Sequence, residues 1–399
     1  MIKNPVLWTT WVLTIGCILI APYIKPNWIL SLIVILFSIT LFLIPGTKYA
    51  SISIITISIL YGISWLPLFI FTSTIAIVVI GEGAYRTMKG SPYAYFSYVI
   101  AATASSFLVM IYLHHIVPLI TLLGVIVAVM LKSALTNRID VLMVEGLGVA
   151  MTMYFFDELN YQVDLTLLLI AVLIAFTFGY TANKLHVADL SGLFSGALIG
   201  IILIVFADVR WFFIMLTFFI LGSACTKYHY DFKLKLGAAQ EHGGVRGYFN
   251  VFANGLVASS AAILFGITHY PMFIALFLGS VATATADTVA GEIGMMSPTP
   301  YLITTWKPVP PGTNGGISAI GEIAGFGACT VILVVAFALN VCSVSMMIIG
   351  IVAGFLGTNI DSLIGATIEN RGYIGNAGTN LLATLFGGLF ASVFFIKAL

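Results

Sequence analysis

Residues 272–294 read MFIALFLGSVATATADTVAGEIG, and this stretch decides how the chain folds. It is mainly apolar or small as far as Ala290, and about 20 apolar residues span a bilayer as a helix. A charged side chain in the middle of such a helix costs ~3 kcal/mol on insertion scales. Asp287 and Glu292 are therefore predicted to face a cavity or a ligand. On a regular helix they lie well apart around the axis, so they need not bind one ion.

The composition of the whole chain also indicates a membrane protein. Of the 399 residues, 60% are hydrophobic and 8% are charged, whereas a soluble domain carries roughly 25% charged residues. We therefore predict an all-α fold, a polytopic transmembrane helical bundle with on the order of a dozen spans in the lipid bilayer. The 16 Lys and Arg residues nearly balance the 15 Asp and Glu residues. Because the basic residues form no stripe, nucleic acid is excluded as a partner.

The chain divides into two regions of different character. Residues 1–164 alternate apolar stretches with short polar breaks and are predicted to form an N-terminal transmembrane scaffold. Within them, Glu82 and Arg86 have the i,i+4 spacing of a juxtamembrane ion pair. No small-residue cleavage site follows the apolar run that ends at Ile20, so this run is expected to remain as a first spanning helix. Residues 165–399 carry four polar constellations and are predicted to form the C-terminal transmembrane catalytic domain.

The first constellation is a basic loop that follows residue 226. A concentration of basic residues in a short loop places it on the cytoplasmic side. Lys and Arg side chains suit phosphate oxygens, and adjacent glycines let backbone N–H groups approach an anion. The candidate binding residues are Lys227, Lys235, Gly243, Gly244, Arg246, Asn250 and Asn254, and the loop also contains Lys233. A solvated loop that only fixes topology is the alternative.

The stretch quoted first is the second constellation, and a Pro/Gly-rich loop is the third. The candidate residues of this loop are Lys307, Gly312, Thr313, Asn314, Gly315 and Gly316. Its glycines expose backbone N–H groups at the start of a helix, which is an anion-binding geometry. The spacing is not that of a Walker A loop, and a plain turn is the alternative.

The fourth constellation lies in one apolar helix and combines Asn359, Asp361 and Glu369. The two carboxylates are about two helical turns apart, with Gly365 between them. Carboxylates with amide and hydroxyl neighbours are the ligand set of Mg²⁺, which usually shares its shell with substrate phosphates. Together the four constellations suit phosphoryl transfer, where catalysis is mostly positioning and charge neutralisation.

Four ordered motifs resemble an integral-membrane family that includes the plant chloroplast phytyl-phosphate kinase of vitamin E synthesis. They are GGVRGYFNVFANG at 243–255 with GAA at 237–239 before it, ADTVAGEIG at 286–294, GTNGGIS at 312–318 and NIDSLIGATIE at 359–369. The resemblance covers roughly residues 165–399 and extends to the polyprenol kinases, which use CTP. It implies a CTP-dependent kinase that phosphorylates a phytyl, geranylgeranyl or longer polyprenyl monophosphate to the diphosphate.

The resemblance also implies roles for the candidate residues. Lys227, Lys235 and Arg246 would hold substrate phosphates, and the loop Gly312–Gly316 would cradle the nucleoside triphosphate. The Mg²⁺ ligands would be Asp287 and Asp361, supported by Glu292 and Glu369. Some family members carry an acidic residue where this chain has Asn314, which is therefore interpreted as a hydrogen-bonding residue and not as a metal ligand.

Two other functions use similar parts. A nucleotidyltransferase would attack CTP at its α-phosphate and make a CDP-lipid. A secondary transporter would use glycine-interrupted helices and carboxylates near the bilayer midplane. Release of CDP or of pyrophosphate separates the two enzymes, and an inverted repeat would mark the transporter.

Overall fold

A computed structural model describes residues 5–43, 48–236 and 241–396, with side chains left out of the description at 5–9 and 241–242. The described part of the chain is 77% helical with almost no strand. Among the described residues, eight helices are long and apolar enough to cross a membrane, and five shorter apolar helices accompany them. The predicted all-α, polytopic membrane fold is confirmed.

Contacts between residues divide the chain into two compact units, Met1–Leu168 and Leu169–Leu399. The helices of the first unit are α1 Pro5–Ile20, α2 Asn27–Phe42, α3 Lys48–Gly62, α4 Leu68–Ile75, α5 Gly81–Thr87, α6 Ala94–Tyr112, α7 Pro118–Ala134 and α8 Val141–Glu158. The π-helical segment Ala76–Ile80 joins α4 to α5, so that Leu68–Thr87 forms one spanning length. The functional division predicted at 164/165 stays a prediction.

The first unit contains a buried polar cluster. Glu82 accepts a hydrogen bond of 2.7 Å from Arg86 Nε, which is the ion pair expected from their spacing. Lys132 of α7 also donates to Glu82, and Tyr98 of α6 donates to the fully buried Glu145 of α8. These polar side chains thus pair with one another between helices, and Glu145 Oε2 alone of this cluster's carboxylate oxygens has no hydrogen-bond partner among the described residues.

The second unit holds the four constellations. Its elements are α9 Leu165–Lys184, α10 Leu190–Phe206, α11 Val209–Lys227, α12 Tyr230–Lys235, α13 Tyr248–Thr268, α14 Pro271–Gly294, β1 Tyr301–Leu302, β2 Gly316–Ile317, α15 Ala319–Ala338, α16 Val344–Ile364 and α17 Asn376–Val393. The helix α9 starts four residues before the contact boundary and lies mainly in this unit. A π-helical turn, Gly365–Glu369, extends α16.

Helix α14, the stretch quoted first, is the hub of the second unit. It packs against α11, α13, α15, α16 and α17. Its small residues make this possible, because they let helix backbones approach closely. A Cβ atom added at Gly279 would lie 2.4 Å from the carbonyl oxygen of Gly387 on α17. One at Gly357 of α16 would lie 2.2 Å from the Thr283 hydroxyl. The hub therefore has no room for larger side chains at these points.

The Pro/Gly-rich loop is folded back on α16 by a short hairpin. Strands β1 and β2 pair antiparallel, with Tyr301 opposite Ile317. Gly315 has φ +77°, and a Cβ there would lie 2.4 Å from Ala366 Cβ. A glycine is needed at this position both for the left-handed backbone and for the contact with α16.

Candidate functional site

The candidate site centres on two facing carboxyl groups. Asp287 lies in α14 and Asp361 in α16, and the two carboxyl groups are close enough to act on each other electrostatically. Asp361 Oδ1 is buried and has no hydrogen-bond partner among the described residues. A buried polar atom without a partner is costly, so this oxygen marks a place that a ligand would satisfy.

The third and fourth constellations meet at Glu369. Asn314 Nδ2 donates to Glu369 Oε1 at 3.1 Å, and Thr379 Oγ1 donates to Glu369 Oε2 at 2.9 Å. Glu369 is also close enough to act electrostatically on Asp287 and Asp361. The Gly312–Gly316 loop is therefore attached to the edge of the carboxylate pair, with Asn314 as the hydrogen-bonding residue.

The other residues of these two constellations lie around that junction. Gly312 has φ +83°, and Thr313 Oγ1 donates to the Pro310 carbonyl at 2.7 Å, so both shape the turn. Lys307 is exposed, with its side chain free to reach solvent. The Asn359 amide donates to Glu322 Oε2 of α15 at 3.1 Å, which ties α16 to α15.

Glu292 is held elsewhere, by a lysine that the sequence analysis did not select. Lys233 Nζ of α12 contacts Glu292 Oε2 at 2.5 Å and donates to the carbonyls of Cys225 and Thr226 at 2.8 and 3.0 Å. The side chains of Lys233 and Glu292 are only 1% and 4% exposed. This buried ion pair anchors the basic loop to α14. The structure does not bring Glu292 together with Asp287 and Asp361, in agreement with their spacing on the helix.

Arg246 is the buried cation of the first constellation. The residue is 5% exposed, and its guanidinium lies over the rings of Phe218 and Phe219 at 5.4 and 5.9 Å. Among the described residues it forms no ion pair, and its Nε has no hydrogen-bond partner. Burial lowers the pKa of the Arg246 guanidinium to about 10, an effect that nearby Glu292 opposes, so it is charged at neutral pH.

The backbone around Arg246 explains its position. Its N–H donates to the Val187 carbonyl at 2.9 Å, and its carbonyl accepts from the N–H of Asp189 at 3.2 Å. Asp189 in turn caps α10 by accepting from the Gly192 N–H at 2.7 Å. The residue is thus fixed at the start of α10, with its side chain directed between helices.

The remaining residues of the basic loop are more exposed. Lys227 Nζ donates to the Leu185 carbonyl at 3.2 Å, and Lys235 faces solvent. Gly243 and Gly244 have φ of +72° and +73°, and Gly244 is packed against Thr226. The GAA part of the motif at 237–239 lies outside the described residues.

Two asparagines follow Arg246 into α13. Asn254 Nδ2 donates to the Asn250 carbonyl at 2.9 Å, and Asn254 Oδ1 is buried with no partner in the described part of the chain. Asn250 lies beside Arg246 at the wall of an apolar cavity of about 100 Å³. The structure therefore brings Arg246 and Asn250 together at one cavity.

The residues present fit a magnesium ion that shares its shell with a substrate. Among the described residues, no three His, Cys, Asp or Glu side chains form a metal-binding group. Mg²⁺ is commonly bound by one or two carboxylates plus substrate phosphates, and it keeps several waters. Asp287 and Asp361, with the unsatisfied oxygen of Asp361, match that smaller ligand set.

The fold and this site define a polytopic helical membrane protein with a polar site built on its spanning helices. The chain belongs to the family described as integral membrane protein DUF92, whose model matches residues 173–388. Family membership, expected from the four motifs, is confirmed. Residues 1–172 lie outside this match.

Relatives from three organisms illustrate the similarity. Uncharacterized membrane protein MJ0933 of Methanocaldococcus jannaschii is 31% identical over 58% of this chain and 96% of its own length. Protein PGR of Arabidopsis thaliana is 30% identical over 52% of this chain and 80% of its own. Protein VTE6, chloroplastic, of Arabidopsis thaliana is 28% identical over 45% of this chain and 57% of its own. Uncharacterized membrane protein sll0875 of Synechocystis is 34% identical over 47% of this chain and 76% of its own. No solved structure matches the chain.

Proposed function

We propose that this protein is a CTP-dependent kinase that phosphorylates a membrane isoprenoid monophosphate to the diphosphate. The similarity to Protein VTE6 and the resemblance of the motifs to phytyl-phosphate kinase support the substrate class. The observation that carries the proposal is the Asp287–Asp361 pair on two spanning helices, bordered by the glycine-rich loop that Asn314 attaches to Glu369.

In the proposed reaction, an oxygen of the prenyl monophosphate attacks the γ-phosphorus of CTP. A new P–O bond forms, the bond from the γ-phosphorus to the β,γ-bridging oxygen breaks, and CDP leaves with the electron pair. The attacking oxygen is already anionic, so the reaction needs no general base. What the protein must supply is alignment of the two phosphates and compensation of their charge.

The residues of the candidate site divide these two tasks between them. Asp287 and Asp361 would hold Mg²⁺, which when bound neutralises phosphate charge. The backbone N–H groups of the Gly312–Gly316 loop would bind the donor phosphates beside these carboxylates. Lys227 and Lys235 are exposed in the basic loop and would attract the nucleotide from the cytoplasm.

The test uses purified full-length protein in detergent with Mg²⁺, radiolabelled geranylgeranyl or phytyl monophosphate, and each of the four nucleoside triphosphates. We expect prenyl diphosphate and CDP in equal amounts. Formation of pyrophosphate and a CDP-lipid would show that the protein is a nucleotidyltransferase and not a kinase. No nucleotide consumption by folded, monodisperse protein would refute both enzymes and leave transport to be measured in liposomes.

Variants of the carboxylate pair test the assigned residues. Asp287→Asn and Asp361→Asn are expected to lower turnover by about 10²-fold or more. They should also abolish stabilisation of the protein by Mg²⁺ in a thermal unfolding assay, which does not depend on turnover. Asp208→Asn is the matched control, because Asp208 is also an aspartate of the second unit but caps α11, pairs with Arg210 and belongs to none of the four constellations. Near-normal turnover in both site variants would refute the metal assignment.

A further inference from the structure

Arg246 is a buried cation without an ion-pair partner among the residues that the structure describes. Its nearest carboxylate partner by electrostatics, Glu292, is already bound to Lys233 at 2.5 Å. Burying a guanidinium without an ion pair is expensive, and the rings of Phe218 and Phe219 offset only part of that cost. A buried charge without a partner, directed into a cavity, indicates a missing anionic ligand.

The cavity beside Arg246 is apolar and lies between spanning helices. Its volume is about 100 Å³, and residues of α9, α10, α11 and α13 line it. Lining residues include Phe178, Gly196, Ile199, Phe212, Phe219 and Asn250. An apolar cavity of roughly 150 Å³ holds the six carbons of benzene, so one of about 100 Å³ has room for about four carbons, which is the methyl-branched part of an isoprene unit. Arg246 and Asn250 supply polar groups at an otherwise hydrocarbon site.

We propose that Arg246 and this cavity form the binding site of the acceptor lipid. The lipid's monophosphate would contact the Arg246 guanidinium, and its first isoprene unit would fill the cavity between α9, α10, α11 and α13. This inference rests on the proposed function for the identity of the lipid. It places the acceptor lipid at Arg246, in the loop that precedes α13, and the donor nucleotide at the Gly312–Gly316 loop.

The lining of the cavity favours a lipid phosphate over a nucleotide phosphate. A ribose or cytosine placed among these phenylalanine and isoleucine side chains would lose hydrogen bonds to water and gain few in return. An isoprene unit has no hydrogen bonds to lose, so it packs against the same side chains without that cost. A nucleotide would instead find hydrogen-bond donors at the glycine-rich loop.

Gly196→Leu tests the cavity directly. Gly196 lines the cavity, and a Cβ added there would meet no atom within 4 Å, so the position accepts a side chain and a leucine is expected to fill part of the cavity. The leucine would exclude part of the isoprene unit from the cavity. Losing the burial of two of its methylene groups weakens Kd about tenfold, so binding of geranylgeranyl monophosphate should weaken about tenfold or more. Gly327→Leu is the control, because Gly327 is equally free of neighbours but lies exposed on α15.

Arg246→Leu tests the anion site. Removing an unpaired buried charge is expected to raise the unfolding temperature of the ligand-free protein, whereas removing a structural ion-pair partner would lower it. The same variant should weaken binding of geranylgeranyl monophosphate about tenfold or more, because a charged hydrogen bond is lost. Binding of geranylgeraniol, which has no phosphate, should change little. Arg246→Lys should recover part of the affinity for the monophosphate.

Binding is measured without nucleotide, by titration calorimetry in detergent, with geranylgeranyl monophosphate, geranylgeraniol, CTP and inorganic phosphate as separate probes. Weaker monophosphate binding in both Gly196→Leu and Arg246→Leu, with CTP binding unchanged, supports the site. CTP binding lost in Arg246→Leu with lipid binding intact overturns it. If lipid binding follows the expected pattern but no diphosphate is formed, the lipid-binding site is supported and the kinase activity is refuted. If turnover is normal and both variants keep the wild-type KM for the lipid, the kinase stands and this site falls.

Discussion

The buried pair of Lys233 and Glu292 gives the sharpest prediction on stability. Lys233→Met removes the ammonium group and keeps a similar apolar stem, so it leaves the carboxylate of Glu292 buried without a partner. Glu292 Oε1 already lacks a hydrogen bond from any described residue, so neither carboxylate oxygen would then be satisfied. The carbonyls of Cys225 and Thr226 at the end of α11 would lose their donor as well.

The expected cost follows from these contacts. Removing one partner of a buried ion pair costs about 3–5 kcal/mol of unfolding free energy. In a unit of this size, 1 kcal/mol shifts Tm by about 2–4 °C, so Lys233→Met should lower Tm by on the order of 10 °C. Replacing both partners by apolar residues is often close to neutral. The double variant Lys233→Met/Glu292→Leu should therefore recover most of the loss.

Thermal unfolding in detergent, followed by circular dichroism, measures these shifts. Lys235→Met is the control, since Lys235 lies on the same short helix, is exposed, and should change stability by less than about 0.5 kcal/mol. If Lys233→Met unfolds at the wild-type temperature, the Lys233–Glu292 pair does not stabilise the protein as expected. If the double variant loses as much as the sum of the single variants, the two side chains are independent of each other.

Two further predictions concern the glycine-rich loop. Gly315→Ala should dislodge the loop from α16 and abolish nucleotide binding, because its Cβ would lie 2.4 Å from Ala366 Cβ. Gly372→Ala is the control: this glycine has φ +75° and no neighbour within 4 Å, so the variant should cost only about 1–2 kcal/mol of backbone strain. Titration with CTP compares the two variants, and equal affinities would contradict the assignment of the loop to the nucleotide. Asn314 Nδ2 lies 3.1 Å from Glu369 Oε1, so Asn314→Asp places a second carboxylate beside Glu369 and should make the protein less stable than wild type at neutral pH. Stability should return when Mg²⁺ is added, or when the pH is lowered enough to protonate one of the two acids. A Tm deficit independent of both pH and Mg²⁺ would contradict this.

The sequence sufficed for the class of fold and for the separation of the two acidic residues of α14. Long apolar runs separated by polar breaks predict spanning helices, and the structure has them. The five-residue spacing of Asp287 and Glu292 also predicted that they would point in different directions on α14. These features depend on helix geometry alone, which a single sequence carries.

The partners of those acidic residues could not be found in the same way. Lys233 and Lys235 belong to one basic run and look equivalent, yet only Lys233 is buried against Glu292, 59 positions along the chain. Likewise, nothing local shows that Asn314 would contact Glu369 across 55 positions. Such pairs depend on how helices pack, so an alignment of covarying positions would be the signal that finds them. The interpretation of Asn314 as a hydrogen-bonding residue came from the resemblance and not from spacing.

The exposure of α9 has a consequence for how a lipid would reach the proposed site. Residues of α9 line the cavity beside Arg246, and only 17% of the spanning window of this helix is buried within the protein. Most of the surface of α9 is therefore left to the hydrocarbon of the bilayer. A prenyl chain bound at Arg246 would reach the cavity sideways past α9, without crossing water.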